Sequence, residues 1–409
     1  MSYRVLSAEL SAHTGASIRL CGWVHRRRVL AKVTFLIVRD RAGLAQVVVP
    51  PGVAVPGEES VVEVTGRVVA NPVAPGGFEV AYEGIEVLSE AEPPPVELFR
   101  PAVEAGLPAL LDHAAVSLRH PARRAVFAAS AAAVKAFRAT LDGLGFTEVH
   151  TPKIVGSATE SGANVFALDY FGRPAYLAQS PQFYKQTMVG VFERVYEVGP
   201  VFRAEPHDTS RHLATYTSLD AELGFVRDHR DVMAVLSRVV RAMAEAAGLS
   251  EVRLPGEIPV VHFTEALKIA GAAPDEPDLA PEHERTIGAW ALAEHGSDFV
   301  YVEGYPMAKR PFYTHPQPSD PRWSNSFDLL FRGMELVTGG QRLHRYADYL
   351  AALGPQAEGL DGYLAAFRHG MPPHGGFAIG LERFLARLTG AANVRETTLF
   401  PRDLHRLAP

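Results

Sequence analysis

The stretch VFRAEPHDTSRHL, residues 201–213, follows the apolar run RVYEVGP and carries two arginines, one glutamate and two histidines. A strand that only filled a core would end at Phe202. The chain has no G-x-x-x-x-G-K-[ST] loop and no G-x-G-x-x-G after a strand, so any phosphate it binds is held by side chains. Arginine suits that task, because its guanidinium is always charged and its planar fork matches two phosphate oxygens. Arg203 and Arg211 supply two such forks. Arg383 supplies a third in GGFAIGLERFLARL, residues 375–388, where small residues admit a ligand close to the backbone. In SNSFDLLFRGMELVTGGQRLHR, residues 324–345, Asp328 and Glu335 stand seven residues apart around a turn between strands. Two carboxylates so placed can share a hard cation. With the arginines, they imply magnesium and a nucleotide.

Composition bounds the rest. At 409 residues the chain exceeds one ordinary core, and two or three domains are expected. A hydrophobic content of 47% against 21% charged fits a folded chain and excludes a disordered or fibrous one. No apolar run approaches the ~20 residues that span a bilayer, and MSYRVLSAEL lacks the layout of a signal peptide. The expected location is cytoplasmic, with no membrane partner. The single cysteine, Cys21, excludes a disulfide framework and a cysteine-rich zinc site within one chain, and reads as a small buried apolar residue. A net charge of −6 is not that of a general nucleic-acid binder, so any such contact is local; the densest basic cluster is HRRR, residues 25–28.

The segments SIRLCGWV, VTFLIV, AQVVV, VVEVTGRVV and FEVAYEGIEVL are rich in β-branched and aromatic residues and are separated by Pro/Gly breaks. Five strands in about 70 residues suit a small β-barrel of the oligonucleotide-binding kind. The proline run of AEPPPVELFRP, residues 91–101, reads as a stiff spacer. After it, Phe127, Val134, Phe137 and Leu141 recur at helical spacing, and Gly143 and Gly145 are placed to stop the helix. Strand-like and helical pieces then alternate without the βαβ rhythm, which predicts an α+β domain with a largely antiparallel sheet flanked by helices. The expected organisation is a five-stranded OB-fold barrel over residues 1–90, a hinge over 91–115 and a second domain over 116–409.

These motifs together resemble the archaeal type of aspartyl-tRNA synthetase, a class II enzyme, across essentially the whole chain. RHPARR through TEVHTPKI resembles the first class II signature, ending at Pro152; FRAE with RHL resembles the second, and GGFAIGLERFLARL with RETTLFPRD the third. ESGANVF, QSPQFYKQ and TGGQR add to the likeness. The resemblance implies a class II catalytic domain, a homodimer built on the first signature, and aspartyl-adenylate formation from L-aspartate and ATP before transfer to tRNA. It further implies that Arg203 grips the α-phosphate, that Glu205 meets the adenine amino group and that Tyr216 stacks on the base. Arg211, His212 and Leu213 would line the triphosphate, Arg383 would close over it, and Ala204, Gly380, Leu381 and Glu382 would complete the ATP contacts. Arg203, Glu335 and Arg383 would be the catalytic residues. Mg2+ would be held by Asp328, Glu335 and Thr338. Glu160 would receive the substrate ammonium. Ser180, Gln182, Lys185, Arg203, Thr338 and Arg342 would seat the aspartate, with Lys185 and Arg342 facing its side-chain carboxylate.

Two cations facing one side chain suit a carboxylate better than an amide, which favours aspartate over asparagine. In the barrel, His25, Arg26, Phe35, Gln46 and Pro75 match anticodon-binding positions of the family, with Phe35 and Gln46 at the middle base. His25 after GWV and Pro75 in APGGF go, in the archaeal type, with relaxed charging: tRNA(Asp) and also tRNA(Asn), the latter product left for an amidotransferase. Departures are Thr215 at a usually acidic position in RHLATY and the absence of an Arg-Asp-Leu-Gly-Gly turn from RRRVLAKVTF. The alternatives are a discriminating aspartyl enzyme, an asparaginyl one, a tRNA-independent asparagine-forming ligase, or a tRNA binder without catalysis. The barrel weighs against the free ligase and the arginine and carboxylate set against the inert binder.

Overall fold

The computed structural model describes residues 4–157, 164–206, 208–248, 252–357 and 360–408. The chain divides into one compact unit that runs to Arg124 and another from Ala125 to Ala408.

In the first unit, β1 (Ser17–Val29), β2 (Thr34–Arg39), β3 (Leu44–Val49), β4 (Val61–Ala70) and β5 (Phe78–Ser89) close into a barrel of order β1-β2-β3-β5-β4. These strands fall where their β-branched alternation predicts. Side chains on a strand alternate between faces, and one face of each fills the interior: Leu20, Val24, Leu36, Val38, Val47, Val62, Val64 and Val80 are buried together. Cys21 points the other way; it is half-buried, and its thiol lies 3.5 Å from the Glu63 carboxylate, so the expectation of a buried apolar residue is corrected. Two short helices, α1 (Leu107–Asp112) and α2 (Ala114–Ser117), follow the proline-rich segment.

Helix α3 (Pro121–Gly143) is the long helix expected after the spacer, and Gly145 beyond it takes φ +77°. Ala133, Phe137 and Leu141, four residues apart, form its buried stripe, while Phe127 and Val134 are half-buried. The second unit adds, in order, β6 (Thr147–Glu148), β7 (Ile154–Val155), β8 (Ala167–Tyr170), β9 (Arg173–Leu177), α4 (Gln182–Phe192), β10 (Arg194–Phe202) and β11 (Thr215–Gly224). There follow α5 (His229–Ala246), β12 (Val260–His262), α6 (Phe263–Ala270), α7 (Pro281–His295), β13 (Phe299–Glu303), β14 (Ser326–Phe331) and β15 (Glu335–Arg342). The last elements are α8 (Tyr346–Leu353), α9 (Asp361–Arg368), β16 (His374–Gly380) and α10 (Leu381–Thr389). Among the described residues an eight-stranded sheet runs β12-β13-β14-β15-β16-β11-β10-β6, antiparallel except where its outer strands β12 and β6 pair.

One face of this sheet is apolar and is covered by α3, α5 and α10. Leu219, Ala221, Leu223, Phe327, Leu329, Val337, Phe377 and Ile379 meet Phe137, Leu236, Val240, Phe384 and Leu388 there. The opposite face of the central strands carries polar residues, and helix α4 lies against it from β10 and β11. Helix α10 is tied to β11 by Glu382, whose carboxylate accepts hydrogen bonds from the Thr217 amide at 3.0 and 3.1 Å. Burial raises the Glu382 carboxyl to about 7. A raised carboxyl favours the folded state at low pH and loses that contribution as pH rises from the ordinary carboxylate range through 7. Glu382→Gln should therefore match the parent in urea unfolding near pH 4 and exceed it at pH 8 by on the order of 2 kcal/mol; a larger gain at pH 4 than at pH 8 would refute the assignment.

Candidate active site

Strand β11 reads Ser218, Leu219, Ala221 and Leu223 interleaved with Asp220 and Glu222, so the period of two sends Ser218, Asp220 and Glu222 to the polar face. Lys185, 1% exposed on α4, reaches Asp220 at 2.9 Å and Glu222 at 3.4 Å and donates to the Phe377 carbonyl at 3.2 Å. Arg342, at the end of β15, donates to Glu222 at 3.0 Å and to the Gly376 carbonyl at 3.0 Å. Burial alone would raise the Glu222 carboxyl; the charges of Arg342 and Lys185 outweigh it and hold it below the usual range. Opposite Glu222 in the ladder stands Gly376, and a Cβ there would lie 2.0 Å from Glu222 Oε2. The expected pair of unbalanced cations is thus corrected: Asp220 and Glu222 neutralise Lys185 and Arg342 within the protein, so a count of two cations does not by itself select a carboxylate substrate. Ser180 Oγ accepts from the Gln182 amide at the start of α4.

A cavity of about 300 Å³ opens over this cluster and extends to the β10–β11 end of the sheet. Gln182, Lys185 and Arg342 line one end, Ser218 and Gly380, paired across β11 and β16, line the middle, and Arg203, Glu205, Arg211, His212, Leu213, Tyr216, Glu382 and Arg383 line the other. The Arg203 guanidinium lies 5.6 Å from the Tyr216 ring and 4.0 Å from Glu205, which His212 also approaches at 3.9 Å. Ala204 contributes backbone, its amide donating to the Asn164 carbonyl. Leu381 sends its side chain into the apolar core. Thr215, at the usually acidic position, opens β11 half-buried. Glu160 lies outside the described residues.

Asp328 and Thr338 face each other across β14 and β15, and Thr338 donates to Glu335 at 3.2 Å. Burial and the Glu335 charge raise the Asp328 carboxyl to about 6, although the Arg310 guanidinium, 3.1 Å away, opposes them. A buried carboxyl raised in part by a neighbouring carboxylate suits a divalent cation, so this donor set fits Mg2+. Among the described residues no cluster of three or more His, Cys, Asp or Glu is placed to hold a metal; further ligands would be phosphate and water oxygens. Arg310 itself was not legible from sequence. It lies 3.9 Å from the Tyr305 ring centroid and lines the cavity with Tyr313 and Thr314.

In the barrel, Phe35 on β2 and Gln46 on β3 are half-buried on the outer face, Gln46 bonded to Glu79 at 3.0 Å. Pro75 is exposed in a single 3-10 turn. The Arg26 guanidinium lies 3.3 Å from the Phe99 ring centroid. His25 is 7% exposed, and its Nδ1 accepts from Arg39, which also forms a paired bond to Glu59 at 2.8 Å. Burial and the Arg39 charge lower the His25 imidazole to about 4, so the ring is neutral.

Residues 108–404 match the family described as tRNA synthetases class II (D, K and N), and residues 18–88 match the OB-fold nucleic acid binding domain. The chain is 47% identical to proteins of Deinococcus radiodurans and Thermus thermophilus named Aspartate--tRNA(Asp/Asn) ligase, covering 99% of this chain and 99% and 100% of theirs. Among solved structures it resembles the asparaginyl-tRNA synthetase of Pyrococcus horikoshii complexed with asparaginyl-adenylate, with a TM-score of 0.91 and 31% identity over all of both chains. The aspartyl tRNA synthetase of Entamoeba histolytica gives a TM-score of 0.85 at 27% identity over 100% of this chain and 93% of that one. An α+β sheet with arginine forks at one end of its cavity, preceded by an OB-fold barrel and matched along nearly its full length by these relatives, identifies the chain as a member of the aspartyl-tRNA synthetase family of class II tRNA synthetases.

Proposed function

We propose that the chain activates L-aspartate with ATP and transfers the aspartyl group to tRNA(Asp) and to tRNA(Asn). The observation that carries this is the likeness to relatives named for aspartate and both tRNAs, 47% identical to the chain, together with a cavity whose phosphate-type arginines at one end fit ATP and whose buried polar cluster at the other leaves room for a small amino acid. The α-carboxylate of aspartate would attack the ATP α-phosphorus, the bond to pyrophosphate would break, and a terminal ribose hydroxyl of the tRNA would then take the aspartyl group and release AMP. No side chain needs to form a covalent bond. Catalysis by this chain is positioning and charge stabilisation: Arg203 at the α-phosphate, Arg211 and Arg383 along the polyphosphate, Tyr216 under the adenine, Lys185 and Arg342 toward the substrate side chain. Mg2+ on Asp328, Glu335 and Thr338 would supply further positive charge to the phosphates. Glu160 is assigned to the substrate ammonium by family resemblance.

The barrel is assigned to the anticodon. The outer-face Phe35 and Gln46 suit stacking on and hydrogen bonding to one base, with Arg26 toward the backbone. We assign α3 and the strands after it to a homodimer interface, the cytoplasm as the location, and a downstream amidotransferase as the consumer of aspartyl-tRNA(Asn). Among the described residues no helix is long and apolar enough to cross a membrane.

The decisive assay offers ATP and labelled aspartate or asparagine with each purified tRNA. Aspartate on both tRNAs is the expected result; aspartate on tRNA(Asp) alone would overturn the relaxed specificity, and asparagine on tRNA(Asn) would overturn the amino acid. Arg203→Ala should slow ATP–pyrophosphate exchange by on the order of 100-fold or more, and an unchanged rate in folded protein would remove Arg203 from the α-phosphate. Lys185→Ala should raise KM for aspartate far more than KM for ATP. It should also lower the thermal midpoint, since Asp220 and Glu222 lose a buried partner, a loss of about 3–5 kcal/mol; equal changes in both KM values would speak against the role.

A further inference from the structure

Helix α7 lies outside every motif on which this reading rests, yet it delivers a side chain to the phosphate end of the cavity. Glu284, 6% exposed, uses a single oxygen, Oε2, to accept from Arg211 Nη2 at 2.8 Å and from the Glu335 backbone amide at 2.9 Å. That oxygen joins a guanidinium aimed at the cavity to the first residue of the strand that carries Glu335 and Thr338. The reach is set by backbone contact. Gly288, one turn further along α7, rests on Gly333 in the turn between β14 and β15: a Cβ on Gly288 would lie 2.5 Å from the Gly333 nitrogen, and a Cβ on Gly333 would lie 2.9 Å from the Arg285 Cα. Gly333 also holds φ +70°, which other residues rarely adopt. With a side chain at either position the helix would stand off the turn, and Glu284 would no longer span to Glu335.

The surroundings explain why Arg211 needs this partner. Burial and then the charges of Arg211 and Arg332 lower the pKa of Arg387, with the Glu284 charge opposing them, so Arg211 and Arg332 both lie within electrostatic reach of Arg387. Asp298 pairs with Arg332 at 3.1 Å, while Glu284 pairs with Arg211. Without Glu284, Arg211 would be repelled by Arg387 and free to turn toward solvent. With it, Nη2 is anchored and the remaining face of the planar fork is fixed relative to the cavity that Arg211 lines.

We propose that Glu284 is a positioning residue of the ATP site, holding Arg211 and the start of β15 in the arrangement that receives the polyphosphate. The proposal rests on the reading of Arg211 as a phosphate ligand, and the test separates the two. ATP–pyrophosphate exchange is measured with ATP and aspartate titrated separately for the parent, Arg211→Ala, Glu284→Ala, Glu284→Gln and the Arg211/Glu284 double alanine variant. Glu284→Ala should raise KM for ATP about 10- to 100-fold, the effect of losing a hydrogen bond to a charged partner, and leave KM for aspartate unchanged. Glu284→Gln, which keeps the shape and an acceptor oxygen, should fall between Glu284→Ala and the parent. The double variant should lose clearly less than the product of the two single losses, because both single variants remove the Arg211–Glu284 contact. Additive losses, an unchanged KM for ATP, or parallel rises in both KM values would overturn the positioning role while leaving the phosphate role of Arg211 standing. An Arg211→Ala variant with normal KM for ATP would overturn both.

Discussion

The arrangement rests on four charges buried side by side: Lys185, Asp220, Glu222 and Arg342. Each alone would be costly inside a protein, because a charge leaving water loses several kcal/mol that only close partners restore. Together they form an alternating set that carries no net charge. Its members come from α4, β11 and β15, so their mutual attraction fixes the register of a helix over two strands that are not neighbours. The space for it exists because β16, the strand between β11 and β15, presents Gly376 where a side chain would collide with Glu222. Sheet order, glycine placement and charge pairing are thus one requirement seen at three levels.

The two ends of the cavity are built differently, in keeping with the ligands proposed for each. At the amino-acid end the polar groups are fixed in the sheet and its covering helix, and a small ligand would meet donors already oriented. At the proposed phosphate end the arginines are half-buried: Arg203 lies near Tyr216 and Glu205, Arg211 on Glu284, and Arg383 near the Glu335 carbonyl at 3.5 Å. Guanidinium forks carried on separate elements can meet a polyphosphate from several sides, which suits a site that has no glycine-rich loop to wrap it.

Much of this was legible in the residues. The β-branched runs marked all five barrel strands, the four-residue spacing of Phe137 and Leu141 marked α3, and Arg203, Arg211, Arg383 and Glu335 of the motifs line one cavity. The polar face of β11 was written in the alternation Ser218-Leu219-Asp220-Ala221-Glu222-Leu223, which a period-two reading of that segment would have found. Asp220 and Glu222 on that face offset the two cations, Lys185 and Arg342, that the motifs alone reveal. Arg310 and Glu284 are a different case. Each is a single charged residue in a segment with no local pattern, and it reaches the site only because distant elements pack together: α7 on the β14–β15 turn for Glu284, and the segment between β13 and β14 folding back over Asp328 for Arg310. Local sequence carries no trace of such contacts.

His25 shows how a position can matter to recognition without touching what is recognised. Its ring is enclosed in the barrel unit and neutral, and it accepts a hydrogen bond from Arg39, whose guanidinium is also bound by Glu59. Glu59 holds φ +67° and shares its carboxylate with Arg119 at 3.0 Å. A larger or charged group at position 25 would have to displace Arg39 from this set, and with it the loop that carries Glu59. An effect of His25 on the choice of tRNA would then be an effect of shape, transmitted through that loop to the outer surface, whereas Phe35 and Gln46, on the outer face, could meet a base directly. The distinction is physical: the Nδ1 of a neutral, largely enclosed imidazole is committed to Arg39, so the ring helps set the geometry of the loop that carries Glu59.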